Sequence, residues 1–282
     1  VQIKTMAEIV LMREAGLVVG RTLEKLRAAV EPGITTRDLD DLAEKAIRGE
    51  GAVPSFKGYQ GFPASICASI NEEVVHGIPN KKRVLHEGDI ISIDCGAIVD
   101  GWHGDAAITV PVGEVRPELL DLIRVCDESM WAGLAAAQLG GKLTDISHAV
   151  EQVVLPHRYG IVDHYGGHGI GTEMHQPPHI LNYGRPGRGQ RLVKGIALAI
   201  EPMITMGTPD TRVLKDDWTV VTTDATWAAH CEHTVAVTDA GPWVLTALDG
   251  GVARLAELGV RCGQPGAPAP GSADGSPAAA AS

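Results

Sequence analysis

The chain has 282 residues, 44% of them hydrophobic, enough for a core in one or two domains, and its apolar runs fall short of the roughly 18 residues that a membrane span needs. A formal net charge of -11 leaves no basic stripe to neutralise phosphates, which argues against direct nucleic-acid binding. Five cysteines, an odd number without a CxxC spacing, point to reduced thiols in a cytoplasm, and no charged n-region followed by an apolar h-region suggests a signal peptide.

Residues 5–30 read as an amphipathic helix. Thr5 and Glu8 form a capping box, and "EPG" at 31–33 stops it. A second helix is predicted after Thr35 or Thr36, ending near "GEG" at 49–51. A third covers 117–138, with Pro117 in its first turn and Gly140–Gly141 beyond its end; a fourth follows Thr144 to about His157. Short β-branched runs at 65–70, 90–94, 106–110, 196–201, 218–222 and 233–238 predict strands. The fold class is α/β (α+β): an antiparallel sheet with helices packed on it, in a single domain over about 1–250. Residues 263–282 are a Gly/Ala/Pro/Ser tail whose composition predicts disorder.

An internal repeat carries the first functional signal. "LHEGDIISID" (85–94) and "LVKGIALAIE" (192–201) share the pattern L-x-x-G-x-x-x-x-I-acid. Downstream, "DAAITV" from Asp105 and "EHTVAV" from Glu232 each begin a strand on an acid. Two matched pairs in the same order predict pseudo-two-fold internal symmetry, with four carboxylates near its axis.

Asp100-Gly101 is a two-residue hairpin signal. With that turn, paired residues sum to 201, so Asp105 lies opposite Gly96 and shares a face with Asp94, their Cβ atoms about 6–8 Å apart. Buried carboxylates in such proximity need a shared proton or a cation. Four acids exceed what one proton can offset, and two divalent cations match them. The histidines nearby are His76 in "NEEVVHGIPN", and His168 and His175 in "GGHGIGTEMHQPPH", where glycines hold a loop or irregular strand. Imidazole beside carboxylate suits Mn, Fe, Co or Zn better than Ca or Mg.

Asp100 reads as the turn residue and Cys95 as a small buried hydrophobe. His103 fits a structural cross-strand role at least as well as a supporting one. His86, His148, His157, His164 and His230 carry no signal above an ordinary structural or solvated histidine.

Taken together, "NEEVVHGIP", "ISIDCG", "HGDAAITV", "GGHGIG", "EMHQPP", "LAIEPM" and "CEHTVAV" resemble the type I methionine aminopeptidases, from "IKT" near the start to about residue 248. The resemblance implies a pita-bread fold and two divalent metal ions (Co, Mn, Fe or Zn) held by Asp94, Asp105, His168, Glu201 and Glu232. Asp105 and Glu232 would bridge the ions, Asp94 would chelate one, and His168 and Glu201 would complete the other. Glu201 would also be the proton shuttle, with His76 and His175 as catalytic, substrate-contacting histidines. Phe56, Tyr59, Phe62, Cys67, Met174 and Trp218 would wall the methionine pocket, aromatics and sulfur suiting a thioether. The implied activity is cytoplasmic removal of the N-terminal methionine from nascent chains, at or away from the ribosome, when the second residue is small, by a monomer without membrane attachment.

The sequence departs from the pattern at Cys231, where a larger aromatic is expected, at His230, where glutamine is common, and at Met174, where phenylalanine is common. None removes a ligand. Two other readings are a proline-specific peptidase of the same fold and a non-catalytic peptide-binding relative. The first usually carries a further N-terminal domain, and the second loses metal ligands.

Overall fold

The computed structural model describes residues 1–268. The first half comprises α1 (Met6–Ala29), α2 (Thr36–Gly49), β1 (Val53–Pro54), β2 (Ile66–Ile70), β3 (Glu73–Val75), β4 (Ile90–Val99) and β5 (Trp102–Pro111). Thr5 Oγ1 accepts the Glu8 backbone N–H, and the Glu8 carboxylate accepts that of Thr5, so α1 begins at the expected box. Thr35 and Asp38 repeat the device at α2. β4 and β5 form the expected hairpin. Asp100 and Gly101 are both left-handed, Val99 pairs with Trp102, and Gly96 pairs with Asp105.

Alternation along this hairpin sorts its residues between two buried faces. Ile91, Ile93, Cys95 and Ala97 of β4, with Ala106 and Val110 of β5, pack against Val19 and Leu23 of α1 and Leu39 and Ala43 of α2. Asp94 and Asp105 therefore point to the opposite face, and Cys95 is core. The hairpin strands extend beyond the expected 90–94 and 106–110, because pairing continues to the turn through Gly and polar residues that carry no periodic signal.

The second half comprises α3 (Pro117–Ala136), α4 (Leu143–Val154), β6 (Gly160–Ile161), β7 (Gly167–Gly169), β8 (Gln176–Ile180), β9 (Ala197–Ile200), β10 (Met203–Thr205), β11 (Thr211–Val213), β12 (Val220–Thr222), β13 (Ala228–His230), β14 (His233–Thr238), β15 (Gly241–Val244) and α5 (Val252–Glu257). α4 starts before Thr144 because Asp145 accepts the Lys142 backbone N–H, while Thr144 Oγ1 accepts that of Arg188. Several strands escaped the sequence reading because two or three residues cannot show a period of two. β8 carries two prolines, and it lies at the edge of its five-stranded sheet, where a missing N–H is tolerated.

The two halves match in detail. Gly88 and Gly195 are both left-handed, and their N–H groups donate to Val112 and Val237 carbonyls respectively. Thr35 bridges to Val84 as Lys142 does to Arg191. The halves meet where Ala107 and Glu232 exchange backbone hydrogen bonds. The repeat is thus a structural pseudo-two-fold, and its axis runs beside the acids.

The packed chain continues past the expected end near 250. Leu255 and Cys262 are buried, and the Gly263 N–H donates to the Pro242 carbonyl. The expected tail lies outside the described residues from 269 onward. Among the described residues no helix is long and apolar enough to cross a membrane, and all five cysteines are free and buried.

Helix α1 lies directly on backbone. A Cβ at Gly16 would sit 2.1 Å from the Leu245 carbonyl oxygen, whereas one at Gly49 would meet nothing within 4 Å. Gly16→Ala is expected to destabilise by about 1–3 kcal/mol through overpacking, read as a lower urea midpoint, while Gly49→Ala leaves the midpoint nearly unchanged.

Candidate metal centre and its cleft

Four strands deliver the acids. Asp94 lies on β4 and Asp105 on β5, while Glu201 follows β9 and Glu232 precedes β14. Ile93 and Ile200 pack into their respective helical layers, so the next residue in each repeat faces the axis. His168 is brought alongside by β7, squeezed between β8 and β9. A Cβ at Gly167 would lie 2.2 Å from the Ala199 carbonyl oxygen, and one at Gly169 would lie 2.3 Å from that of Pro177. The glycines flanking His168 therefore allow its close approach.

His168 Nε2 stands 3.4 Å from Glu201 Oε1 and 3.9 Å from Asp105 Oδ2. Its Nδ1 donates to the Gly169 carbonyl at 3.1 Å, which fixes the proton there and leaves the Nε2 lone pair for a metal ion. Asp105, His168 and Glu232 each offer a ligand atom within 4.8 Å of the others. Asp94 Oδ1, Asp105 Oδ1 and Glu232 Oε1 are buried without a hydrogen-bond partner among the described residues. Orphaned carboxylate oxygens converging on an imidazole nitrogen are the donor set a divalent transition ion takes.

The electrostatics agree. Burial pushes Asp94 up to about 7, an effect His230 opposes and Glu201 reinforces. Burial, then Asp94 and Glu201, raises Asp105; burial raises Glu201; burial and Asp105 raise Glu232. Burial lowers His168 to about 3, which keeps its ring neutral. A cation among these groups would offset the repulsion that drives the carboxyls upward.

Beside the acids lies a cleft of about 150 Å³, a size that elsewhere admits a benzene-sized group. Phe56, Phe62, Cys67 and Met174 form its buried apolar cluster, with Tyr59 and Trp218 partly buried against it. Phe62 and Trp218 meet edge to face, ring centroids 5.1 Å apart. His175 is exposed, with its ring centroid 4.3 Å from that of His168 and its Nδ1 3.0 Å from the Tyr59 hydroxyl. His76 has φ of +62, a left-handed conformation that a non-glycine residue holds at some cost, and packs edge-on to Tyr165 and Trp218.

The structure thus gathers every residue the sequence singled out for the site around one cleft. His103 does not line the cleft; its Nδ1 is 2.9 Å from Ser55 Oγ. Three neighbours were not singled out. Gln60 lines the cleft, Tyr165 faces His76, and His230 reaches the acids, Nε2 3.4 Å from Glu201 Oε2. His230 had a usable signal: it stands two residues before Glu232, on the same face of an extended chain.

Comparison with known proteins agrees with this geometry. The model of metallopeptidase family M24 matches residues 10–239. A methionine aminopeptidase of Clostridium acetobutylicum is 57% identical over 244 residues, 86% of this chain and 98% of the relative. Methionine aminopeptidase 1 of Mycobacterium tuberculosis is 53% identical over 249 residues, 86% and 94% of the two chains. The crystal structure of a Thermotoga maritima methionine aminopeptidase superposes with a TM-score of 0.86 at 41% identity, covering 88% of this chain and 99% of that one.

Proposed function

This chain belongs to metallopeptidase family M24, and from that premise we infer that it is a methionine aminopeptidase, hydrolysing the peptide bond after an N-terminal methionine when the second residue is small. The observation that carries this is the adjacency of an acid-histidine cluster to a cleft walled by aromatics and sulfur. The two features supply hydrolytic chemistry and a thioether-sized seat side by side.

We propose that Asp94, Asp105, His168, Glu201 and Glu232 would hold two divalent ions, Co, Mn, Fe or Zn. Bound there, such ions supply Lewis acidity and a water of lowered pKa. Glu201 takes a proton from the attacking water and returns it to the leaving amine. His175, steadied through Nδ1 by the Tyr59 hydroxyl, donates from its other nitrogen to the scissile carbonyl oxygen as negative charge develops. His76 contacts the backbone of the second residue, and its packing against Trp218 fixes the spacing between that contact and the methionine seat. Phe56, Tyr59, Phe62, Cys67, Met174 and Trp218 exclude water from the thioether. The natural substrates are nascent polypeptide N-termini, met at the ribosome or after release, and the enzyme acts as a monomer. Five free, buried thiols suit the reducing cytoplasm.

Peptide cleavage across a metal series tests the reading. Met-Ala-Ser is expected to release methionine, Met-Leu-Ser to be cleaved at least about 10²-fold more slowly, on the order of the discrimination that a pocket's steric fit gives, and Xaa-Pro peptides to remain intact. Cleavage confined to Xaa-Pro peptides, or metal-independent peptide binding with no cleavage, would overturn it.

A further inference from the structure

His230 lies at the end of β13, 2% exposed. Its Nε2 is 3.4 Å from Glu201 Oε2 and 4.0 Å from Glu232 Oε2. It is nevertheless aligned for a hydrogen bond with neither, and has no other partner among the described residues. A buried polar nitrogen left in that state is costly unless something else satisfies it. Glu201, His230 and Glu232 each offer one ligand atom within 4.8 Å of the others, a three-residue set distinct from Asp105, His168 and Glu232.

Glu201 is thereby flanked by two imidazoles, His168 Nε2 on Oε1 and His230 Nε2 on Oε2. Glu232 belongs to both sets. A glutamine, the residue the family resemblance leads one to expect at this position, offers an amide that can hydrogen-bond but lacks an imidazole lone pair.

We propose that His230 is a sixth ligand of the metal centre in this chain, giving it two nitrogen donors, His168 on β7 and His230 on β13. The proposal rests on the metal-centre reading given above and adds to it. Its consequence is selectivity. A second imidazole in a carboxylate site favours Co, Zn or Fe over Mn or Mg, because nitrogen donors suit borderline ions and oxygen donors suit hard ones.

The test uses the full chain stripped with EDTA and titrated with Co(II) by calorimetry, alongside the visible d–d absorption of the bound ion. His230→Gln is expected to weaken one of two Co(II) binding events by at least about 10-fold, since even residues that only support ligands cost 10–100-fold. It should shift the absorption band and change Mn(II) affinity less. In the Co(II)-loaded wild type, NMR should show hyperfine-shifted resonances from two imidazole rings, with one set lost in His230→Gln. Should that variant fail to fold, the wild-type spectrum decides alone. Two bound ions with a single shifted imidazole, or Co(II) binding unchanged by His230→Gln, would overturn the proposal and leave the five-ligand reading standing. A wild type that binds no Co(II) would overturn both.

Discussion

Glu201→Gln is expected to lower kcat on Met-Ala-Ser by about 10³-fold, within the range that loss of a general acid–base group produces. The change keeps the shape of the side chain and one oxygen at the centre while removing the charge and the proton acceptor. Glu201 is 8% exposed and sits between His168 and His230, with Asp105 and Glu232 close by. The proposed proton-shuttle role rests on this placement. Because Glu201 is also a proposed ligand, metal content is measured on the same samples and kcat is taken at saturating metal. If the loss came only from weakened metal binding, excess metal would restore the rate. A persistent loss with two ions bound identifies the proton-transfer role, and wild-type kcat in the variant would exclude it.

The elements with long periodic patterns and defined ends were legible in the sequence. α1 was announced by its Thr5–Glu8 capping box, α2 by the threonines at 35–36 and the GEG at its end, and the β4–β5 hairpin by Asp100-Gly101. The hairpin mattered most, because its register alone decides whether Asp94 and Asp105 share a face. The symmetry was legible because the same left-handed glycine, apolar residue and acid recur at Gly88, Ile93 and Asp94 and at Gly195, Ile200 and Glu201. The short strands β6, β7, β10 and β13 were not, since their pairing is set by neighbours far along the chain. His230 was legible only in its spacing from Glu232, not in its approach to Glu201. Its side chain matters because β13 pairs with β10 and so carries it to Glu201, and Met203 opposite it in that ladder gives no hint of this. Gln60 and Tyr165 lie in turns and loops whose approach to the cleft depends on the whole fold.

Removing divalent metal is expected to lower Tm by about 8–16 °C. An ion present at a thousandfold its Kd stabilises by about 4 kcal/mol, and each kcal/mol moves Tm by about 2–4 °C in a chain of this size. The penalty should also grow with pH. In the metal-free protein Asp94 is raised by burial to about 7, and Asp105, Glu201 and Glu232 are raised as well. Carboxyls of the unfolded chain titrate at about 4. Above that value the native state holds protons the unfolded state has lost, so unfolding free energy falls as pH rises. Buried histidines act oppositely at lower pH, because His168 is held near 3 and His76 near 4 and both must charge on unfolding. Above pH about 6.5 they become neutral in both states, and the difference between EDTA and metal comes from the acids, since Lys4 and the buried thiols titrate alike with and without metal. Thermal unfolding at pH 6.5, 7.5 and 8.5, with EDTA and with Co(II), should therefore show stability declining with pH in EDTA and a much flatter profile with metal, where the ions offset the same charges. Identical curves with and without EDTA at all three pH values would mean that the acids need no cation, and the metal-centre assignment would fall with them.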